Sequence, residues 1–247
     1  MKKLAILAAL FFCAITASAQ LNVQFHYDMG RAIYGKELSN RPQWTATIEN
    51  FTADNWGSTF FFVDGNFADN QMHSVYAELA RELKFWKAPV AIHLEYNGGL
   101  TNQFSYNDAY LAGVAYNWAN SNFSKTFSVQ AMYKYLAKQQ IGTKHSWQLT
   151  AVWGIHFAKG LCSFTGFADL WHDNAVNGAL VFCSEPQFWF NFVALDGVND
   201  KCKFSIGAEL ELSNNLVWPT NGINNRFYAI PTVAAKWTFS TTYSHKK

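Results

Sequence analysis

Aromatic rings and a carboxylate alternate along one short stretch, NWGSTFFFVDGN at residues 55–66. In an extended strand Phe60, Phe62 and Asp64 lie on one face, whereas Phe61 and Val63 lie on the other, apolar face. Rings bind flat groups by stacking, and a carboxylate accepts hydrogen bonds from hydroxyl groups. A water-soluble sandwich would bury the apolar face and expose the other to solvent. A membrane barrel would turn the apolar face to lipid and the rings and acid to its lumen.

Further residues of the same kinds complete the candidate site. The predicted stacking residues and hydrogen-bond acceptors are Phe60, Phe62, Phe167, Asp64, Asp169, Glu49 and Glu185. One stacked base contributes about 1–3 kcal/mol, which suits the weak, rapidly exchanging sites that conduction requires. A neutral solute with a flat ring and several hydroxyl groups would satisfy both kinds of residue, whereas the excess of acids would repel phosphate.

Apolar and polar residues alternate with period 2 along nearly the whole chain, which predicts strands with two different faces. The clearest strand is SWQLTAVWGIHF at residues 146–157. The stretch AELARELKF also has helical propensity, but its context favours a strand with Arg81 as a charge on the apolar face. About twelve strands of roughly ten residues follow, which is the length and even number typical of a transmembrane β-barrel. The predicted fold class is therefore an all-β, antiparallel transmembrane barrel.

Turns and loops divide these strands. Short turns are predicted at residues 53–57, 86–89 and 158–160, and longer connections at 30–41 and 214–225. Loops are also predicted at residues 65–72 and 98–99. One strand is predicted over residues 180–192 and the last over residues 226–239. Barrels of this kind have short periplasmic turns and longer outer loops, so both termini are expected in the periplasm.

Composition supports the membrane alternative. The 247 residues are 50% hydrophobic and 17% aromatic but only 15% charged, against about 25% charged in soluble domains. The predicted apolar face carries aromatic residues near strand ends, as in an aromatic girdle: Trp44, Tyr96, Tyr110, Trp118, Trp147, Trp153 and Phe239. A secreted sandwich or lipocalin-like barrel would turn that face inward. The net charge of +2 gives no indication of a nucleic-acid partner.

The N-terminus has the three parts of a signal peptide. Lys2 and Lys3 precede the apolar residues 4–15, and Ala-Ser-Ala at 17–19 predicts cleavage before Gln20. The predicted division is therefore a signal peptide at 1–19 and an outer-membrane barrel at 20–247. A lipoprotein anchored through Cys13 is the alternative, which the bulky Phe12 disfavours.

Cysteine and histidine spacing predicts neither a metal site nor a cofactor. Cys162, Cys183 and Cys202 are an odd number without a CxxC motif, which favours thiols as small apolar fillers.

Five motifs together resemble one family. NWGSTFFFVD (55–64), NDAYLAGVAYNW (107–118), SFTGFADLW (163–171), SEPQFW (184–189) and PTVAAKWTF (231–239) are similar to the nucleoside-specific channel-forming porins, the Tsx type, and a related uncharacterised branch. The resemblance implies a monomeric, narrow, twelve-stranded outer-membrane channel that passes nucleosides and binds them with lumen rings and polar groups. WTF near the C-terminus also resembles the end that the barrel-assembly machinery recognises, although eight residues follow it.

Charged residues are expected on the lumen side. The predicted inward acids are Asp28, Glu49, Asp64, Glu78, Glu82, Glu95, Asp169, Glu185, Glu209 and Glu211, beside the bases Lys84, Lys134, Lys203 and Lys236. Cross-pairing that holds the barrel round is the alternative role for any one of them. Such pairing does not explain why aromatic rings also lie on the polar faces. These rings belong to Phe60, Phe62, Phe167 and Trp171.

An outer-membrane lipase and a structural or plugged barrel are the two alternatives to a channel. An outer-membrane lipase needs Ser and His on one outward patch, but parity places His26, His93 and His156 inward. A structural or plugged barrel would lack transport. The chain is therefore predicted to be a channel in a Gram-negative outer membrane rather than an enzyme, with membrane lipid and small solutes as its partners.

Overall fold

The computed structural model describes residues 19–137, 139, 142–173, 180–222 and 225–239. Residues 1–18 of the predicted signal peptide and residues 240–247 lie outside the described residues. The first strand begins at Ala19, the residue after which cleavage is predicted.

The described chain forms one antiparallel sheet that closes on itself. Its thirteen strands are β1 Ala19–Asp28, β2 Trp44–Asp54, β3 Gly57–Ala68, β4 Gln71–Leu83, β5 Val90–Thr101, β6 Ala109–Ala119, β7 Lys125–Leu136, β8 His145–Phe157, β9 Cys162–His172, β10 Leu180–Ser184, β11 Gln187–Asn191, β12 Phe204–Asn214 and β13 Phe227–Thr238. Pairing of β1 with β13 closes the barrel. Because β10 and β11 both lie between β9 and β12, the barrel has twelve strand positions, as predicted.

The predicted strand at residues 180–192 is interrupted at Glu185 and Pro186. Pairing of β9 with β10 and with β11 keeps a single register across the break. Pro186 has no backbone N–H to contribute to the ladder, although its carbonyl still accepts a hydrogen bond from the Leu210 amide at 3.0 Å. Strands β10 and β11 together therefore occupy one strand position of the barrel.

Alternation sets the two faces of the barrel wall. On β5, Ala91 and His93 are buried inside the barrel while Ile92 and Leu94 are exposed outside. The outer surface carries many exposed apolar and aromatic side chains, among them Phe25, Trp44, Tyr110, Val114, Trp118, Trp147, Phe188 and Trp237. An apolar surface of this extent marks contact with lipid. The predicted inside and outside assignments are confirmed.

Two of the predicted loops, at residues 65–72 and 98–99, are largely or entirely strand in the structure. Residues 65–72 are largely strand, because Asp69 and Asn70 adopt positive φ and turn the chain in two residues. Gly98 and Gly99 lie within β5, where a side chain on Gly99 would collide with Tyr106. Glycine therefore marks a close approach here rather than a loop.

The predicted loop at 30–41 contains short helices. Helix α1 spans Gly30–Tyr34, and a 3₁₀ helix spans Gly35–Leu38. Shorter 3₁₀ turns occur at Ala158–Gly160 and Phe192–Ala194. None of the helices in the described part of the chain is long and apolar enough to span a membrane.

Arg81, the charge on the outward face of β4, has a partner. Its guanidinium contacts Asp54 at 2.7 Å and donates to Thr59 at 3.0 Å. Asp54 is the last residue of β2, so the ion pair lies near the end of the barrel that carries the termini. A charge at that level can reach the polar edge of a bilayer.

Candidate binding site in the lumen

The lumen is filled on one side and accessible on the other. Inward side chains of β5–β8 pack tightly, with an apolar cluster of Ala109, Leu111, Met132 and Leu136. Inward residues of β2–β4 and of β9–β11 are mostly half-buried. The less tightly packed part of the lumen, here called the passage, therefore lies between these two walls.

All seven predicted site residues border this passage. Glu49 lies on β2, and Phe60, Phe62 and Asp64 lie on β3. The opposite wall carries Phe167 and Asp169 on β9 and Glu185 at the break between β10 and β11. Each of the seven is half-buried. The structure thus groups them on two facing walls rather than in one cluster.

The rings on the first wall continue into an aromatic track. Ring centroids are 6.1 Å apart for Phe60 and Phe62, 6.0 Å for Phe62 and Tyr76, 6.3 Å for Tyr76 and Tyr106, and 6.0 Å for Tyr106 and Phe104. Phe104 is 60% exposed in the connection between β5 and β6. The track therefore leads from the mouth opposite the termini, here called the loop end, down the lumen wall.

Neutral side chains donate hydrogen bonds to the carboxylates along the walls. Thr47 donates to Asp64 at 2.6 Å, Asn22 to Glu49 at 2.9 Å, and Thr150 to Asp169. Tyr76 donates to Glu78 at 2.7 Å, and Gln187 donates to Glu209 at 2.7 Å. These bonds orient the acids and leave each with further lone pairs for a solute.

The two walls are close enough for their charges to interact. Glu78 on β4 interacts electrostatically with Asp169 on β9. Glu185 interacts in the same way with Asp64 on β3. A barrel with twelve strand positions is expected to enclose a lumen of intermediate width, between that of filled eight-stranded barrels and that of wide porins of sixteen or more strands.

Two lysines predicted to face the lumen do so. The Lys134 ammonium donates to Gln148 at 2.7 Å and lies 4.5 Å from the Trp171 ring centroid. The Lys236 ammonium lies 3.9 Å from the centroid of the fully buried Trp189 ring. Both cations are thus held against aromatic side chains of the wall.

The first loop, residues 29–43, folds over the loop end. Arg41 contacts Asp28 at 2.8 Å and Glu211 at 2.5 Å. Burial of Arg41 opposes its charge, but Glu211 and Asp28 outweigh that effect and raise its pKa above the ordinary value. Leu38 is fully buried against Val217, Tyr228 and Ile230. One side of the mouth is therefore closed by the chain itself.

The first loop is also joined to the last loop, residues 215–226. The Glu37 carboxylate accepts hydrogen bonds from Tyr228 at 2.6 Å and Arg226 at 2.5 Å. The Thr220 amide donates to the Glu37 carbonyl at 2.9 Å.

Sequence reasoning missed Tyr76, Tyr106 and Phe104 of the track, and Arg41 in the mouth. Tyr76 shares the inward parity of Glu78, so alternation alone could have found it. Tyr106, Phe104 and Arg41 lie in connections, where no periodicity indicates direction.

A serine–histidine contact does occur, but inside the barrel. Ser163 and His156 Nδ1 are 2.9 Å apart, and Asn191 donates to Ser163 at 2.9 Å. An outward-facing lipase site would require a different placement. Among the described residues no group of three or more His, Cys, Asp or Glu side chains could hold a metal ion.

A protein family matches most of the chain. The match covers residues 19–239 and is described as a domain of unknown function, DUF5020. The chain belongs to this family. No curated protein matches the sequence.

Solved structures show the same fold. The NanC porin aligns over 88% of this chain and 98% of its own, with a TM-score of 0.57 at 11% identity. The KdgM porin aligns over 89% and 99% of the two chains, with a TM-score of 0.48 at 9% identity. The outer membrane protein Omp33 of Acinetobacter baumannii aligns over 90% and 97%, with a TM-score of 0.41 at 12% identity. The alignment with the NanC porin shows that the DUF5020 chain has the barrel fold of an outer-membrane porin.

Proposed function

We propose that this DUF5020 protein is a narrow outer-membrane channel for passive uptake of small flat solutes that carry hydroxyl groups, nucleosides among them. The aromatic track beside half-buried carboxylates is the observation that supports it. A base could move from ring to ring, since each stacking contact contributes about 1–3 kcal/mol. Sugar hydroxyls could donate to Asp64, Glu49, Asp169 and Glu185, which accept but do not donate when ionised.

The proposed setting follows from the fold. The mature chain would insert into the outer membrane as a monomer, with its exposed apolar belt against lipid and its termini in the periplasm. The barrel-assembly machinery would recognise the end of β13, where Trp237 and Phe239 stand.

A plugged barrel is the second candidate, because the first loop occupies part of the mouth. Leu38 is fully buried there, and Arg41 joins the loop to β1 and β12. Conductance of the purified protein in planar bilayers separates the two. Discrete openings support a channel, and their absence under all voltages supports a plug.

Uptake by intact cells tests the solute class. Phe62→Ala is expected to weaken uptake of adenosine and thymidine at submicromolar concentration by about tenfold. Swelling of liposomes by a small sugar should change little. Phe25→Ala is the matched control, because Phe25 faces outward and is 57% exposed.

Asp64→Asn should have a milder effect, since an amide oxygen still accepts a hydrogen bond. If Phe62→Ala reduced nucleoside uptake and sugar passage equally, the role of Phe62 would be to maintain the shape of the barrel. Unchanged uptake of both would remove it from the pathway.

A further inference from the structure

The middle of the aromatic track is surrounded by carboxylates. In the sheet, Phe62 pairs directly with Glu49 on one side and with Glu78 on the other. Asp64 follows two residues later on the same face. The rings of Phe60 and Tyr76 lie 6.1 and 6.0 Å from that of Phe62. Aromatic faces and negative charges thus occupy the same patch, here called the ring–acid patch.

Within the part of the chain that the structure describes, no cation forms an ion pair with Glu49, Asp64 or Glu78. Their hydrogen-bond donors are the neutral groups of Asn22, Thr47 and Tyr76. Lys236 and Lys134 interact with Glu49 and Glu78 electrostatically, but both ammonium groups lie over tryptophan rings. The patch therefore has more carboxyl groups than cations beside them.

A buried acceptor beside the patch lacks a donor. Asn97 is the ladder partner of Glu78 on β5 and is 5% exposed. Its side-chain oxygen has no hydrogen-bond partner among the described residues. Glu49, Phe62, Glu78 and Asn97 thus form a row across four strands that is rich in acceptors and short of donors. A buried polar group left in this way calls for a ligand or a water.

An organic ammonium supplies what this row lacks. It carries several N–H donors and a positive charge, and it is attracted to the face of an aromatic ring by about 0.5–2 kcal/mol. A hydroxyl group offers one donor and no charge. The patch therefore discriminates between a protonated amine and a hydroxyl on the same ring.

We infer that the ring–acid patch is a binding site for solutes that combine a flat ring with a protonated amine, and that the pore selects cations over anions. The inference rests on the proposed channel function and narrows its solute class by charge. The ring would lie on Phe62 or Tyr76, and the ammonium would contact Glu78 and Glu49.

Planar-bilayer recordings of the purified, full-length mature protein test this. A salt gradient of potassium chloride should give a reversal potential with the sign of a cation-selective pore, because rings of Asp and Glu favour cations. Tryptamine should then block the potassium current at about tenfold lower concentration than tryptophol, which has a hydroxyl in place of the ammonium. The anion indole-3-acetate should block less than either.

Two matched variants locate the effect. Glu78→Gln should raise the blocking concentration of tryptamine about tenfold and leave that of tryptophol unchanged. Glu209→Gln removes a carboxylate from β12, which is not a neighbour of β3 in the sheet, and should alter tryptamine block far less. Equal effects of the two variants would indicate that the electrostatic field of the whole lumen, rather than a local site, attracts tryptamine.

The outcomes separate this inference from the proposed function. A conducting pore that prefers anions, or that tryptamine and tryptophol block equally, overturns the inference and leaves the channel intact. Absence of conductance overturns the channel. In that case calorimetric titration of the detergent-solubilised barrel with the same three compounds decides the site, and equal affinities would refute it.

Discussion

Glu37 is the residue that joins the two loops at the mouth most directly. The hydrogen bond from Tyr228, and then the hydrogen bond and charge of Arg226, lower the pKa of Glu37 below its ordinary value of 4.5 despite the opposing effect of burial. The Glu37 carboxylate therefore ties the first loop to β13 and to the last loop most strongly while it is ionised.

The sign of the pH dependence follows. A carboxyl whose pKa is lowered by folding stabilises the folded state above its unfolded pKa, and this contribution is lost as pH falls through the lower, folded pKa. Hydrogen exchange of the Thr220 amide, corrected for its intrinsic rate, should therefore lose protection below pH 4.5. Glu37→Gln should show reduced protection at neutral pH. Full protection of the wild type down to pH 3 would contradict this account.

At the scale of elements, the first loop behaves as an extra wall of the lumen rather than as a surface loop. Arg41 is the cation that holds it, since Asp28 and Glu211 belong to strands on either side of β13. Its side chain is 20% exposed, so solvent screens these ion pairs only in part.

Replacement of Arg41 should release this wall. Arg41→Gln leaves two acids without their cation, and we expect a loss of about 3 kcal/mol in the free energy of unfolding together with larger conductance. Denaturant unfolding in lipid vesicles and bilayer recording measure the two. Arg31→Gln is the control, because Arg31 pairs with the exposed Asp69 and such pairs contribute about 0–1 kcal/mol. Similar effects of both changes would argue against a specific role for Arg41.

Strand β8 offers a test of the inside and outside assignment. Val152 pairs with Phe167 on the lumen side, whereas Trp153 stacks on Phe164 outside at 6.0 Å. Val152→Lys should be tolerated, and Trp153→Lys or Ala151→Lys should cost about 2–4 kcal/mol near the midplane. Vesicle unfolding curves give these values. Greater damage from Val152→Lys would invert the register of β8.

At the scale of the whole molecule, closure is the dominant property. Seven residue pairs join β1 to β13, so the barrel leaves no open sheet edge within the hydrocarbon layer. The apolar exterior and charged interior are the reverse of a soluble barrel.

Closure predicts a simple biochemical behaviour. The mature protein should fractionate with outer membranes and migrate differently on gels before and after boiling, because a closed barrel has no edge from which unfolding starts. A boiled sample is the internal control. Recovery in the soluble periplasmic fraction without detergent would refute the membrane assignment.

Alternation alone determined the strands, their faces and the inward placement of Glu49, Phe60, Phe62 and Asp64, because side-chain direction in a strand depends only on parity. Parity could not reveal that Pro186 interrupts a strand without shifting its register, or that Asp69 and Asn70 turn the chain where a loop was expected. Those outcomes depend on backbone hydrogen bonding to neighbouring strands.

Only closure of the barrel decided which inward residues face each other. Asp64 interacts electrostatically with Glu185, and Glu78 with Asp169, because β3 and β4 lie across the lumen from β9–β11. Connections have no periodicity, so only the tertiary structure could carry Phe104 and Tyr106 onto the track and Arg41 into the mouth. The sequence thus determined the chemistry of each wall, and folding determined the distance between the two walls of the proposed site.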